Sequence, residues 1–145
     1  MANGKKGENG KSRDIPTRTF DFGVRIIRLG RFLYRQTDVP RRLTDQLVGC
    51  GTSIGANVEE GQAAQSRRDF ISKYGIALKE ARETDYWLRV LKATEPLLMK
   101  EIGVLLGECS QMTAILVASI KTAKRNGGIE EPRLQKARAE SREQK

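Results

Sequence analysis

The chain has 145 residues, 38% hydrophobic and only 6% aromatic, with a net charge of +9 and no histidine. That length fits one domain with tails, large enough to hold a core without disulfide or metal. The missing histidine removes both the commonest general base and the commonest metal ligand, so the expectation shifts from catalysis to binding and assembly.

Residues 1–15 are polar, Gly-rich and Lys-rich and read as a disordered basic tail. The bundle is expected over residues 16–126. A first helix is predicted from about Arg18 to Gln36. Phe22, Ile26, Leu29 and Leu33 form its apolar stripe. Arg25, Arg28, Arg31 and Arg35 lie on the other side. Residues 15–42 hold seven basic and two acidic side chains, the strongest local excess. Asp38-Val39-Pro40 ends this segment, with Pro40 suited to the start of the next helix.

A second helix is predicted from about Arg41 to Glu60, on the stripe Leu43, Leu47, Cys50, Ile54 and Val58. Gly49, Gly51 and Gly55 each cost about 1 kcal/mol relative to Ala in a helix interior, so they imply close approach of a neighbouring helix or subunit. Gly61 is placed for a left-handed C-terminal cap. The third helix is predicted from about Ser66 to Ala93. It opens on the Ser66-x-x-Asp69 capping pattern and carries Phe70, Tyr74, Ala77, Leu78, Ala81 and Leu88, with Trp87 and Leu91 along a second edge. Thr94-Glu95-Pro96 ends it. The fourth runs from about Leu98 to Arg125, with a wide apolar face from Ile102 to Ile120 and Lys121, Lys124 and Arg125 in its last turn. Gly127-Gly128 is expected to stop it, leaving 127–145 as a flexible charged tail. No strand is predicted. The fold class is all-α, an antiparallel up-down four-helix bundle.

No apolar run approaches the roughly 18 residues that span a bilayer, and the N-terminus lacks the apolar core of a signal peptide. The expectation is a cytoplasmic chain without a membrane partner. Cys50 and Cys109 fall on apolar stripes and read as small buried hydrophobes, in keeping with a reducing compartment.

Inward carboxylates in a bundle can hold two metal ions, but such sites use Glu-x-x-His. Glu59, Glu60, Glu80, Glu83 and Asp85 are therefore expected on solvated faces, paired with Arg67, Arg68, Lys79 and Arg82. Thr52, Ser53 and Cys50 lack a placed base, and GCGTSIG lacks the lysine and the strand of a phosphate loop. No catalytic residue, cofactor or metal site is expected. Asn57 and Asp85, near apolar stripes, are expected to fix helix register. The arginine row of Arg25, Arg28, Arg31 and Arg35, with Lys121, Lys124 and Arg125, is the candidate nucleic-acid surface. Sequence-specific reading is not expected, because there is neither a helix-turn-helix pattern nor an aromatic platform.

Ser53-Ile54, Ala56-Asn57-Val58, Glu60-Gly61, Asp69-Phe70 and Ile76-Ala77-Leu78-Lys79-Glu80-Ala81 stand in the order seen in one bacterial family. The chain resembles the four-helix-bundle proteins encoded in intervening sequences of 23S rRNA genes. The resemblance covers roughly Phe20 to Asn126, and Gly51 departs from the larger or hydroxylated residue more often found there. It implies a bundle that assembles as a ring, a homopentamer. It also implies kinship with the accessory variability determinant of diversity-generating retroelements, a basic barrel that binds nucleic acid and a reverse transcriptase. The family offers no catalytic residues. Two functions are expected to compete: a homo-oligomer that binds RNA or DNA, and a protein-interaction scaffold with no nucleic-acid role.

Overall fold

A computed structural model describes the backbone of residues 14–143 and the side chains of residues 14–127. The N-terminal tail expected over 1–15 lies outside the described residues except for Asp14 and Ile15, which are the start of a helix. Among the described residues there are four α-helices and no strand: α1 (Ile15–Gln36), α2 (Arg41–Gln62), α3 (Arg67–Thr94) and α4 (Met99–Glu143), with a short 3-10 turn at Pro96–Leu98. This is a helical bundle.

Helix α1 begins three residues earlier than its apolar stripe suggests. Asp14 is its N-cap, and its Oδ1 accepts from the Thr17 N–H at 3.0 Å, satisfying one of the orphan donors of a first turn. That hydrogen bond holds the Asp14 carboxyl below its ordinary pKa. Helix α3 opens on Ser66, whose Oγ accepts from the Asp69 N–H at 3.0 Å, as the capping pattern predicts. Pro40 stands at the N-cap of α2 and not inside its first turn.

Phe22, Ile26 and Leu33 of α1 pack with Leu47, Ile54 and Val58 of α2, Tyr74, Leu88 and Leu91 of α3, and Ile102, Met112 and Leu116 of α4. All are fully buried. The predicted stripes hold with two shifts. Leu91 is in the core and not at an edge, and Thr84 occupies the buried position beside which Asp85 was expected. The Thr84 hydroxyl donates to the Glu80 carbonyl at 2.7 Å, so its burial leaves no unmet polar group.

Helix α2 lies against both α1 and α3, and α4 lies against α3, while α1 and α4 meet only sparsely. The α1–α2 seam is tight because glycines form it. A Cβ on Gly51 would sit 2.8 Å from Ile26 Cγ2, and one on Gly55 would sit 3.1 Å from the Thr19 carbonyl oxygen. The close approach expected at Gly51 and Gly55 is thus made within the chain, by α1, whereas a Cβ on Gly49 would meet nothing within 4 Å. Successive contacts (Gly30 with Val48, Gly51 with Ile26, Gly55 with Thr19) run in opposite chain order along the two helices.

Three expectations fail for physical reasons. Gly61 is not a left-handed cap, since no glycine among the described residues has positive φ. It is a buried packing position in α2, where a Cβ would fall 2.6 Å from the Tyr74 ring. Helix α4 does not stop at Gly127-Gly128 but continues as helix to Glu143. An established helix extends by one hydrogen bond per residue without a new nucleus, so two glycines weaken it without ending it. Finally, Pro96–Gly127 does hold an 18-residue window long and apolar enough to cross a membrane by length and composition. Its stripe of Ile102, Leu105, Cys109, Met112 and Leu116 is in the bundle core, and Glu108 inside it is bound by an arginine. Yet only 28% of the window is buried, so much of this apolar helix is uncovered.

Candidate nucleic-acid interface

Burial of Phe22, Ile26, Leu29 and Leu33 turns the rest of α1 outward. Arg25, Arg28, Arg31 and Arg35 are all exposed, and among the described residues none of them makes an ion pair. At about 100° per residue the four lie within an arc of about 120° around the helix, and of them Arg25 and Arg28 line a groove.

Arg25 and Arg28 line a groove of about 520 Å³ between α1 and the start of α4. Phe32, Lys100, Glu101 and Val104 complete its walls over a floor of Leu29, Leu98 and Leu105. Phe32 is 43% exposed and Val104 52%. Beside the groove, where α1 and α4 meet only sparsely, a polar clamp joins them. Arg18 donates from Nε and Nη2 to the two carboxylate oxygens of Glu108, each at 2.9 Å, and from Nη2 to Gln111 Oε1 at 2.7 Å. Its side chain is only 12% exposed. The paired carboxylate raises the Arg18 pKa further, so this clamp stays ionised.

Arg31 and Arg35 sit instead toward the α1–α2 turn. There Arg41 places its guanidinium 5.4 Å from the Tyr34 ring centroid, within cation–π range. The Tyr34 hydroxyl donates to Asp45, which raises the phenol pKa. Arg41 and Arg42 are both exposed. They were not among the residues singled out from the sequence, although the adjacent pair after Pro40 is a visible signal. Phe32, which also lines the groove, was not singled out either.

Lys121, Lys124 and Arg125 are exposed but belong to the other end of the bundle. Twenty residues of helix separate Glu101, in the groove, from Lys121, about 30 Å at about 1.5 Å per residue. The structure therefore does not bring the two basic groups of the sequence together.

The carboxylates find partners other than those expected. Glu60 pairs with Lys73 at 2.6 Å and Asp85 with Arg89 at 2.8 Å. Trp87 Nε1 donates to Glu83 at 3.4 Å. Burial, with Glu83 nearby, pushes the Glu80 carboxyl above its ordinary pKa. Among the described residues, no three His, Cys, Asp or Glu side chains gather as a metal site would need. Ser53 and Thr52 hydroxyls donate back to Gly49 and Val48 carbonyls, each at 2.7 Å. Asn57 Nδ2 donates to the Ser53 carbonyl at 2.8 Å, a local contact within α2. Cys50 and Cys109 are free and buried. Desolvation pushes their thiols up to about 11 and about 12, far from the range of a nucleophile.

At least two further grooves lie among the described residues. One of about 450 Å³ crosses α1 and α2 and is almost wholly apolar, with Phe20, Val24 and Ile27 above Gly23, Gly55 and Ala56. Another, about 870 Å³, lies where the α2–α3 turn meets α4, among Gln62, Gln65, Arg67, Ser119 and Asn126.

The model of the family described as 23S rRNA-intervening sequence protein matches residues 11–118. The chain belongs to that family. A solved structure from Bacteroides thetaiotaomicron, a protein of unknown function from the S23 ribosomal protein family, is similar to it at 38% identity and a TM-score of 0.71. The match covers 74% of this chain and 99% of that one. No curated protein sequence matches the chain significantly. The Arg18–Glu108 clamp and the groove beside it both lie within the part of the chain that the family model covers.

Proposed function

We propose that this member of the 23S rRNA-intervening sequence family is a non-catalytic, homo-oligomeric nucleic-acid-binding protein of the cytoplasm. One observation carries the reading. Arg25, Arg28, Arg31, Arg35, Arg41 and Arg42 are exposed, Asp38 is the only acid between the first and last of them, and none makes an ion pair among the described residues. Cations left without a carboxylate partner among the described residues suit phosphates, and such binding tolerates sequence and weakens with salt. Lys121, Lys124 and Arg125 form a second, separate contact at the far end. The subunit is taken to be an antiparallel up-down bundle, supported by the reversed contact order of α1 and α2.

Self-association is supported by the uncovered part of α4 and by the apolar α1–α2 groove. A ring, with a pentamer as the expected closure, needs two different faces that meet head to tail. The two separated apolar surfaces meet that need, and α4 is then a core and contact helix and not a bilayer span. Kinship with the accessory protein of diversity-generating retroelements, and with it a reverse-transcriptase partner, belongs to the same proposal. A reverse-transcriptase gene beside this one would support it. The scaffold reading has one observation in its favour: Leu97 is 99% exposed at the α3–α4 turn, an apolar contact that nucleic acid does not require.

The test is binding of labelled RNA and DNA at about 50 and about 200 mM salt, with the subunit count measured by light scattering. The protein should bind both polymers, lose most affinity at the higher salt, and run as an oligomer. Converting Arg25, Arg28, Arg31 and Arg35 to Glu should abolish binding while leaving the helical circular dichroism intact. Unchanged affinity in that variant would remove the reading, and a salt-insensitive protein complex would install the scaffold in its place.

A further inference from the structure

We propose that the groove between α1 and α4 seats a single-stranded stretch of nucleic acid, with one base stacked on Phe32 and the flanking phosphates held by Arg25, Arg28 and Lys100. This deepens the nucleic-acid reading above and rests on it. The groove joins two features that a duplex does not need together. Three cations and one acid, Glu101, line it, so its charge favours an anion. Within the same walls Phe32 and Val104 leave 43% and 52% of their surface uncovered. An aromatic ring beside unpaired cations is how single strands are held without sequence preference, because every base has a stacking face and every nucleotide a phosphate.

The geometry also argues against a duplex here. Bases within a duplex are stacked on each other and unavailable to a side chain in a groove of about 520 Å³. A duplex would instead meet Arg31, Arg35, Arg41 and Arg42 at the α1–α2 end, where its phosphates are all that is needed. A second copy of the chain is the other occupant an apolar wall could take. The three cations, which have no ion pair among the described residues, favour the anion.

The experiment uses the full chain with single strands of roughly a dozen nucleotides, one oligo(U) and one oligo(dT), and a duplex of the same length. Phe32→Ala should weaken single-strand binding roughly tenfold and leave duplex binding unchanged. Phe32→Tyr should restore it, and Lys100→Ala should lower the salt slope for single strands by about 0.7. An oligonucleotide carrying 5-iodouracil should crosslink at Phe32. The two polymers differ only in sugar and methyl group, so a preference between them assigns RNA or DNA to the same site. Unaltered single-strand affinity in Phe32→Ala, or crosslinks only elsewhere, would overturn the inference while the four-arginine variant still tests the broader reading. A changed subunit count in Phe32→Ala would also overturn it, by showing that another copy covers the groove. Failure of the parent protein to bind any strand would end both.

Discussion

Helix α1 meets its two neighbours in opposite ways. Against α2 it packs closely, with Gly55 on the Thr19 backbone and Gly51 on the Ile26 side chain. Against α4 it meets only sparsely, with Arg18 clamped on Glu108 and an open groove beside it lined by arginines and a phenylalanine. Along the first seam a single added Cβ would already crowd Ile26 or Thr19, whereas the second leaves space for a groove of about 520 Å³. Stability and binding are thereby assigned to different sides of one helix, so changes on the two sides should add with little interaction.

The largest effect should come from filling the tight seam. Gly55→Val puts a branched side chain 3.1 Å or less from the Thr19 backbone, which cannot yield as a side-chain tip could. About 3 kcal/mol of stability should be lost, read as a lower urea midpoint at unchanged slope. A variant as stable as the parent would show that α1 and α2 can separate, and that the contrast with α4 is illusory.

Alkali should act elsewhere in the core, where α2 and α4 face α3. The Cys50 and Cys109 thiols rise from an ordinary 9.0 to about 11 and about 12 when buried. Above the unfolded-state value the unfolded chain releases thiol protons that the folded chain keeps. Stability is therefore full below pH 9 and falls as pH climbs toward the folded values. Cys50→Ala with Cys109→Ala should flatten that decline in urea titrations at successive pH. A decline of undiminished size would place its origin in other groups.

Next in size is the clamp on the open side. Arg18→Ala leaves Glu108 half-buried without its bidentate partner, and should cost about 1–2 kcal/mol, between the values for exposed and buried pairs. Single-strand affinity should fall with it, because the groove walls lose their spacer. Arg18→Lys should recover part of the stability and little of the geometry, since an ammonium cannot reach both oxygens as a fork.

The four helices were legible because each announces itself twice, by an apolar stripe and by a cap or a breaker such as Ser66-x-x-Asp69 or Glu95-Pro96. What failed was whatever depends on a second helix. Gly61 has the sequence of a cap, and only the Tyr74 ring beside it shows that it is a packing position. That Arg25 and Arg28 of the α1 arginines border a groove is visible only once α4 is in place. Phe32 falls off the α1 stripe, and nothing in a single helix says that Lys100 will stand across from it. Gly127-Gly128 misled in the other direction, because local propensity is a weak prior against an established helix.

The smallest effect is the most discriminating for the assembly. Gly49 lies on α2 beside Gly51 and Gly55, but a Cβ there would meet nothing within 4 Å. In an isolated subunit Gly49→Ala should therefore stabilise the helix by about 0.5–1 kcal/mol. Thr52 and Ser53 already donate to the Gly49 carbonyl, so the local backbone is fixed and the substitution adds only a methyl group. A gain in stability with an unchanged subunit count would mean that this face of α2 looks onto solvent. A variant that folds well yet sheds subunits would mean that another copy approaches Gly49 as closely as α1 approaches Gly51, which would assign the outer face of α2 to the ring contact and leave the arginine-lined groove free for its ligand.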